Sequence, residues 1–171
     1  MRMLVAAVVL LCGMSPNSAP ETLAGWRAAT AAELEAALPQ RAPVEKERIE
    51  TEMRTASGIV NSRGQMIAAV VLITAGYAAD GRYSHFFLAQ APVALGEHLA
   101  LTPGAYVVGW RRDQRGLFVH FYDASTGVER GAELARPLQQ PRRVESFRIV
   151  PPSEGSFIQI GRFVLPYKVA E

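Results

Sequence analysis

Cysteine is almost missing from this 171-residue chain: the only one is Cys12. It lies in the uncharged run 4–12 that follows Met1, Arg2 and Met3, so a chain cleaved beyond that run has no disulfide, no thiolate nucleophile and no cysteine metal site. Histidine is scarce too. His85, His98 and His120 show neither His-x-His nor His-x-x-x-His spacing, and no Asp or Glu adjoins His85, so no metal site is expected. There is no Gly-x-Ser-x-Gly elbow, and the acidic residues gather only in 45–52, where a solvated face accounts for them. A hydrolase would have to combine a serine with His120 or His85 and with Asp123 or Asp80. Ser84 and His85 are consecutive, which on a strand sends them to opposite faces. No catalytic residue and no cofactor is therefore assigned. Net charge is small as well: 18 Lys and Arg against 16 Asp and Glu leave +2, which is no basic footprint for nucleic acid. No apolar run approaches the roughly 20 residues of a spanning helix, so no permanent transmembrane anchor is expected.

What is present begins with a leader. A short positive start, the apolar run 4–12 and a small polar stretch to Ala19 have the three parts of a secretory signal peptide, and the chain is expected to be exported, periplasmic or secreted rather than cytoplasmic. The cut falls between 19 and 24. A lipoprotein reading through Cys12 is disfavoured by the bulky Leu11 before it. Residues 20–47 read as a short helix and a linker: Thr30 and Glu33 have capping-box spacing, Pro39 ends the helix at about 31–38, and 40–47 is polar with Pro43.

From 48 to 171 the pattern is that of strands. Alternation over 49–55, the unbroken apolar run 66–74, the stretch 83–88 and the later runs 144–150 and 156–164 are separated by Gly, Pro and Asp turns, with 92–100 and 136–143 as connections. The central piece is a hairpin, 105–110 and 117–122, apolar at almost every position around a charged loop that ends in Gly116. The expected fold is mainly β: an antiparallel β-sandwich of about seven to nine strands.

Two stretches carry a resemblance. Gly58-Ile59-Val60, then Gly64 and the buried run 67–73, and later Leu101-Thr102-Pro103-Gly104-Ala105-Tyr106-Val107-Val108, resemble the transthyretin-like sandwich of carboxypeptidase regulatory-like domains over about residues 48–125. Met66 stands where that family has proline, and the stretch from Gly81 to Leu101 is longer than its link. The resemblance implies a sandwich fold and a non-catalytic module.

Candidate binding residues cluster at the hairpin tip. Trp110 stands at a strand end beside Arg111, Arg112 and Arg115, with only Asp113 to offset them, and His120 lies between Phe118 and Tyr122 on one strand face. The Trp110 ring suits a sugar, a peptide or a cation and the arginine forks an anionic surface or acidic partner, whereas solvated charge and plain core are the structural alternatives. The expected function is an exported non-catalytic module that binds a protein partner or a cell-envelope component. A small cell-envelope enzyme and a structural subunit of a larger assembly are the alternatives, and the oligomeric state is not legible.

Overall fold

The computed structural model describes residues 25–74, 82–139 and 142–169; the leader, Cys12 and the turn at Ala79-Asp80-Gly81 lie outside them. After β1 (Arg27–Ala28) comes α1 (Ala31–Ala37). Thr30 Oγ1 accepts the Glu33 N–H, and the Glu33 carboxylate reaches back to the Thr30 N–H at 2.8 Å, which satisfies donors that a helix start leaves open. β2 (Arg41–Val44) and β3 (Glu47–Val60) form a hairpin, followed by β4 (Met66–Ile73). The β3–β4 turn is tied by Asn61, whose Oδ1 accepts the N–H groups of Arg63 and Gln65. β5 (His85–Ala89) precedes a short hairpin, β6 (Val93–Leu95) and β7 (Leu99–Leu101). The central hairpin is β8 (Gly104–Arg112) and β9 (Leu117–Asp123). β10 (Glu129–Pro137), β11 (Glu145–Val150), β12 (Phe157–Gly161) and β13 (Phe163–Val169) complete the chain. Tyr106 is buried where β8 begins, and its hydroxyl donates to the Thr102 carbonyl at 2.7 Å, pinning the Pro103-Gly104 turn.

Among the described residues thirteen strands form one antiparallel sheet, where seven to nine strands in two facing sheets were expected. Its order is β1-β3-β4-β5-β8-β9-β10-β13-β12-β11, with β2 on β3 and with β6 bridging β7 and β13. β10 makes the sheet continuous. Residues Glu129 to Ala135 pair with β9, while Arg136 and Pro137 pair with β13, so one strand carries both ladders where a sandwich would separate them. The sheet curls until β11 returns against β3, nearly closing a barrel, and at the seam the Ile149 N–H donates to Ser57 Oγ at 3.0 Å.

Two stretches expected as linker and connection are strands instead. Residues 41–44 pair with 47–50, and 93–95 with 99–101 and with β13. Pro43 fits because β2 lies at an edge, where a missing N–H costs the ladder little. The 136–143 loop is also shorter than expected, since Arg136 and Pro137 belong to β10.

Alternation sorts the side chains into two cores. The inner one holds Val70, Phe87, Val108, Val119, Phe121, Ile149, Ile158 and Leu165, with Phe87 edge-on to Phe121 at 5.6 Å and Trp26 buried among them. The outer one lies beneath α1 and β2, where Leu34, Leu38, Ala42 and Val44 cover Val71, Ile73, Phe86 and Val107. That cover explains why β4 is apolar on both faces.

Gly109 is required by close approach. A Cβ there would collide with the Arg82 backbone carbonyl oxygen, which passes over β8. Gly109→Ala is expected to cost roughly 1–3 kcal/mol, as overpacking does. The midpoint of urea unfolding measures it, and an unchanged midpoint contradicts the packing.

Candidate functional site

The register of the central hairpin settles what alternation leaves open. Val108 faces Phe121, Trp110 faces Val119 and Arg112 faces Leu117, so the row Leu117, Val119, Phe121 joins Tyr106, Val108 and Trp110 on the inner side. Phe118, His120 and Tyr122 turn outward. The tip is a tight loop in which the Asp113 N–H donates to the Gly116 carbonyl at 3.0 Å. The Asp113 carboxylate accepts the Arg115 N–H at 2.7 Å, and that bond holds its carboxyl below the usual range.

The same alternation divides the five candidate residues. Trp110 and Arg112 run along the inner row to the barrel end. Arg111 belongs to the outer face, where its charge acts on Tyr122, and Arg115 lies over the Phe118 ring at 4.7 Å. His120 is also outside, its Nδ1 2.7 Å from Glu129 Oε1 and its ring stacked on Tyr122 at 6.2 Å. Nearby, Arg82 lies 4.7 Å from the Tyr83 ring centroid and 5.2 Å from that of Tyr122, and it bonds the Tyr83 hydroxyl and Glu45. Burial, with the Glu45 bond, pushes the Tyr83 phenol up to about 12.

Trp110 and Arg112 open onto a cleft of about 890 Å³ at the end of the barrel. Its walls are Trp110, Leu117, Val144, Ile160 and Phe163, and Arg112, Arg162 and Glu145 supply its charged groups. Two wall residues are unusually wet for their type: Trp110 is 37 % and Val144 54 % exposed. The Arg112 guanidinium lies 5.4 Å from the Phe163 ring centroid. Arg162 is placed by the tight β12–β13 turn, where Gly161 takes φ 59 and Ile160 pairs with Phe163. Sequence reasoning missed Val144, Ile160, Arg162 and Phe163. They reach Trp110 only because the sheet curls back, and no local pattern signals that.

Behind Trp110 lies a sealed histidine. His85 is 2 % exposed, its ring 5.3 Å from Trp110 and 5.0 Å from Phe147. Burial lowers its pKa to about 4. Its Nδ1 is 3.0 Å from Ser84 Oγ, so the two side chains meet, contrary to the opposite faces that alternation implied; Ser84 stands directly before β5. The Ser84 hydroxyl donates to the Val108 carbonyl at 3.1 Å, which assigns the shared proton to His85 Nδ1 and leaves Nε2 a lone pair without a partner among the described residues. The serine proton thus points away from the imidazole, the wrong direction for a base activating a nucleophile. Asp123 is no partner for either histidine, since Ser125, Thr126 and Arg130 engage its carboxylate and drive its pKa far down.

No three His, Cys, Asp or Glu side chains gather as metal ligands among the described residues, and no helix there is long and apolar enough to cross a membrane. The fold and cleft define a mainly β protein, an antiparallel sheet closed almost to a barrel with an apolar mouth. No family model, curated protein or solved structure matches the chain, and nothing identifies a transthyretin-like or carboxypeptidase regulatory-like domain.

Proposed function

We propose that the protein is an exported, non-catalytic binding module that holds a cell-envelope component, or a protein partner there, in the Trp110 cleft. The carrying observation is the cleft itself, with Trp110 and Val144 exposed on its wall. Large apolar side chains left wet in a concave site mark a binding surface, because covering them with a ligand recovers about 25 cal/mol per Å². Export rests on the leader, which supplies the compartment. An enzyme reading has little to stand on, since the unpartnered imidazole nitrogen, His85 Nε2, is sealed behind Trp110.

The test is recovery of bound material from its native cells with the native protein, with Trp110→Ala and with Val128→Ala, an exposed apolar residue away from the cleft. Mass spectrometry of organic extracts and of cross-linked proteins reads the yield. The native protein and Val128→Ala are expected to carry the same species, and Trp110→Ala about tenfold less, the equivalent of a 1.4 kcal/mol contact. Equal recovery from all three sinks the assignment.

A further inference from the structure

Resting on that reading, we propose that the ligand of the Trp110 cleft is an anionic amphiphile: a single alkyl chain with an oxyanion head, carboxylate or phosphate monoester, held by Arg112 and Arg162. Three observations converge on that class.

Size is the first. A cleft of about 890 Å³ falls within the roughly 300–1,000 Å³ of small-molecule sites. Wall chemistry is the second. Trp110, Leu117, Val144, Ile160 and Phe163 offer no acceptor and one indole donor, and Ser146 is the only neutral polar side chain among the described lining residues besides that indole. A sugar or nucleotide would leave its hydroxyl and amide groups unpaired against such walls, at about 1–3 kcal/mol for each buried group. An alkyl chain leaves none.

Charge is the third. Arg112 and Arg162 both reach the lining, and neither has a carboxylate partner among the described residues. Glu145, the one acid among the described lining residues, faces Arg148 at 4.0 Å. The Arg112 guanidinium carbon lies over the Phe163 ring at 5.4 Å, a contact with a ring face that uses none of its N–H groups as hydrogen-bond donors to a protein acceptor. Two weakly hydrated guanidinium forks at the mouth of an apolar trough suit an oxyanion whose tail lies within. A cationic head meets repulsion there, and a neutral head leaves the forks unused.

The experiment uses the delipidated full chain and four probes of equal chain length below their micelle concentrations: dodecanoate, dodecyl phosphate, dodecanol and dodecyltrimethylammonium. Titration calorimetry gives the affinities. Tryptophan fluorescence reports contact, since Trp110 is exposed and Trp26 is buried in the inner core. Dodecanoate or dodecyl phosphate is expected to bind at least about tenfold tighter than dodecanol, a difference of about 1.4 kcal/mol. The two anionic probes decide which head is preferred. Added salt reduces that preference, and the double change Arg112→Gln and Arg162→Gln abolishes it while dodecanol binding persists. Trp110→Ala weakens all binding. Both arginines are exposed, and a thermal melt of each variant confirms its folding.

Dodecanol binding as tightly as the anionic probes overturns the head-group assignment. No binding of any alkyl probe overturns the amphiphile, and so does an acidic hydrophobic peptide that quenches Trp110 when they do not. Those failures leave the binding-module reading to its own test, recovery of native material with Trp110→Ala.

Discussion

Removal of residues 25–47 is expected to abolish the cooperative unfolding transition of the remaining chain. The stretch has the look of a helix and a spacer, yet it closes both cores. Trp26 sits in the inner core, held by the bond from Ser153 Oγ to its carbonyl at 2.9 Å and by the Ala29 N–H donating to Gly58. Leu34, Leu38 and Val44 cover the outer one. Burying a large apolar side chain is worth roughly 1.5–3 kcal/mol, so these four contribute about 6–12 kcal/mol. A whole domain of this kind is stable by only about 5–15 kcal/mol. Deletion also bares Val71, Ile73, Phe86 and Val107, an apolar face that invites aggregation. Circular dichroism with urea titration of the 48–171 fragment is the check. A cooperative transition near that of the full chain would show that the sheet holds itself together and that 25–47 is an appendage. Trp26→Ala in the full chain gives a graded version, with an expected loss of about 3–5 kcal/mol.

Local chemistry made part of this fold legible. The run 66–73 is apolar at every position, and no surface strand tolerates that, so a strand buried on both faces follows from the sequence. The central hairpin shows itself in the same way. Short strands do not. Val93–Leu95 and Leu99–Leu101 offer three residues each, too few for a period of two to stand out, and Arg41–Val44 hides behind its proline and its arginine. Closure is a different kind of miss. It depends on β10 pairing with β9 along most of its length and with β13 at its end, a long-range choice that no window of residues contains. The site inherits this division. Trp110 stands out as an aromatic ring at a strand end, but its cleft partners Ile160 and Phe163 come from a turn some fifty residues later, which is why they escaped notice. Alternation also separates Arg111 from Trp110 and Arg112, a distinction that the sequence itself carries.

Between pH 6.5 and 4.5 the protein is expected to lose stability steadily, by roughly 2–3 kcal/mol in all, and His85 is the cause. The imidazole is buried between Trp110 and Phe147 with no charged group acting on it among the described residues, and burial lowers its folded-state pKa from 6.5 to about 4. In the unfolded chain it titrates near 6.5. Below that pH the unfolded state takes up a proton that the folded state refuses, and stability falls by about 1.4 kcal/mol per pH unit until His85 itself protonates. The stabilisation is thus complete above pH 6.5 and disappears as the pH drops towards 4. Carboxylates act lower down. Glu33, held to about 2 first by its bond from Arg27, contributes stability that is lost only below its ordinary value of 4.5, which leaves the upper window to the histidine. Urea unfolding at half-unit steps of pH measures the slope in the native chain and in His85→Phe. The aromatic replacement keeps the packing under Trp110 and removes the titration, so its stability should stay flat from 6.5 to 4.5. An equal slope in both proteins would assign the proton uptake to another group and leave the neutral, sealed histidine without support. Because Trp110 rests on His85, the same titration followed by Trp110 fluorescence reports whether the cleft wall shifts before the sheet unfolds; a two-state chain shows both changes at one urea concentration.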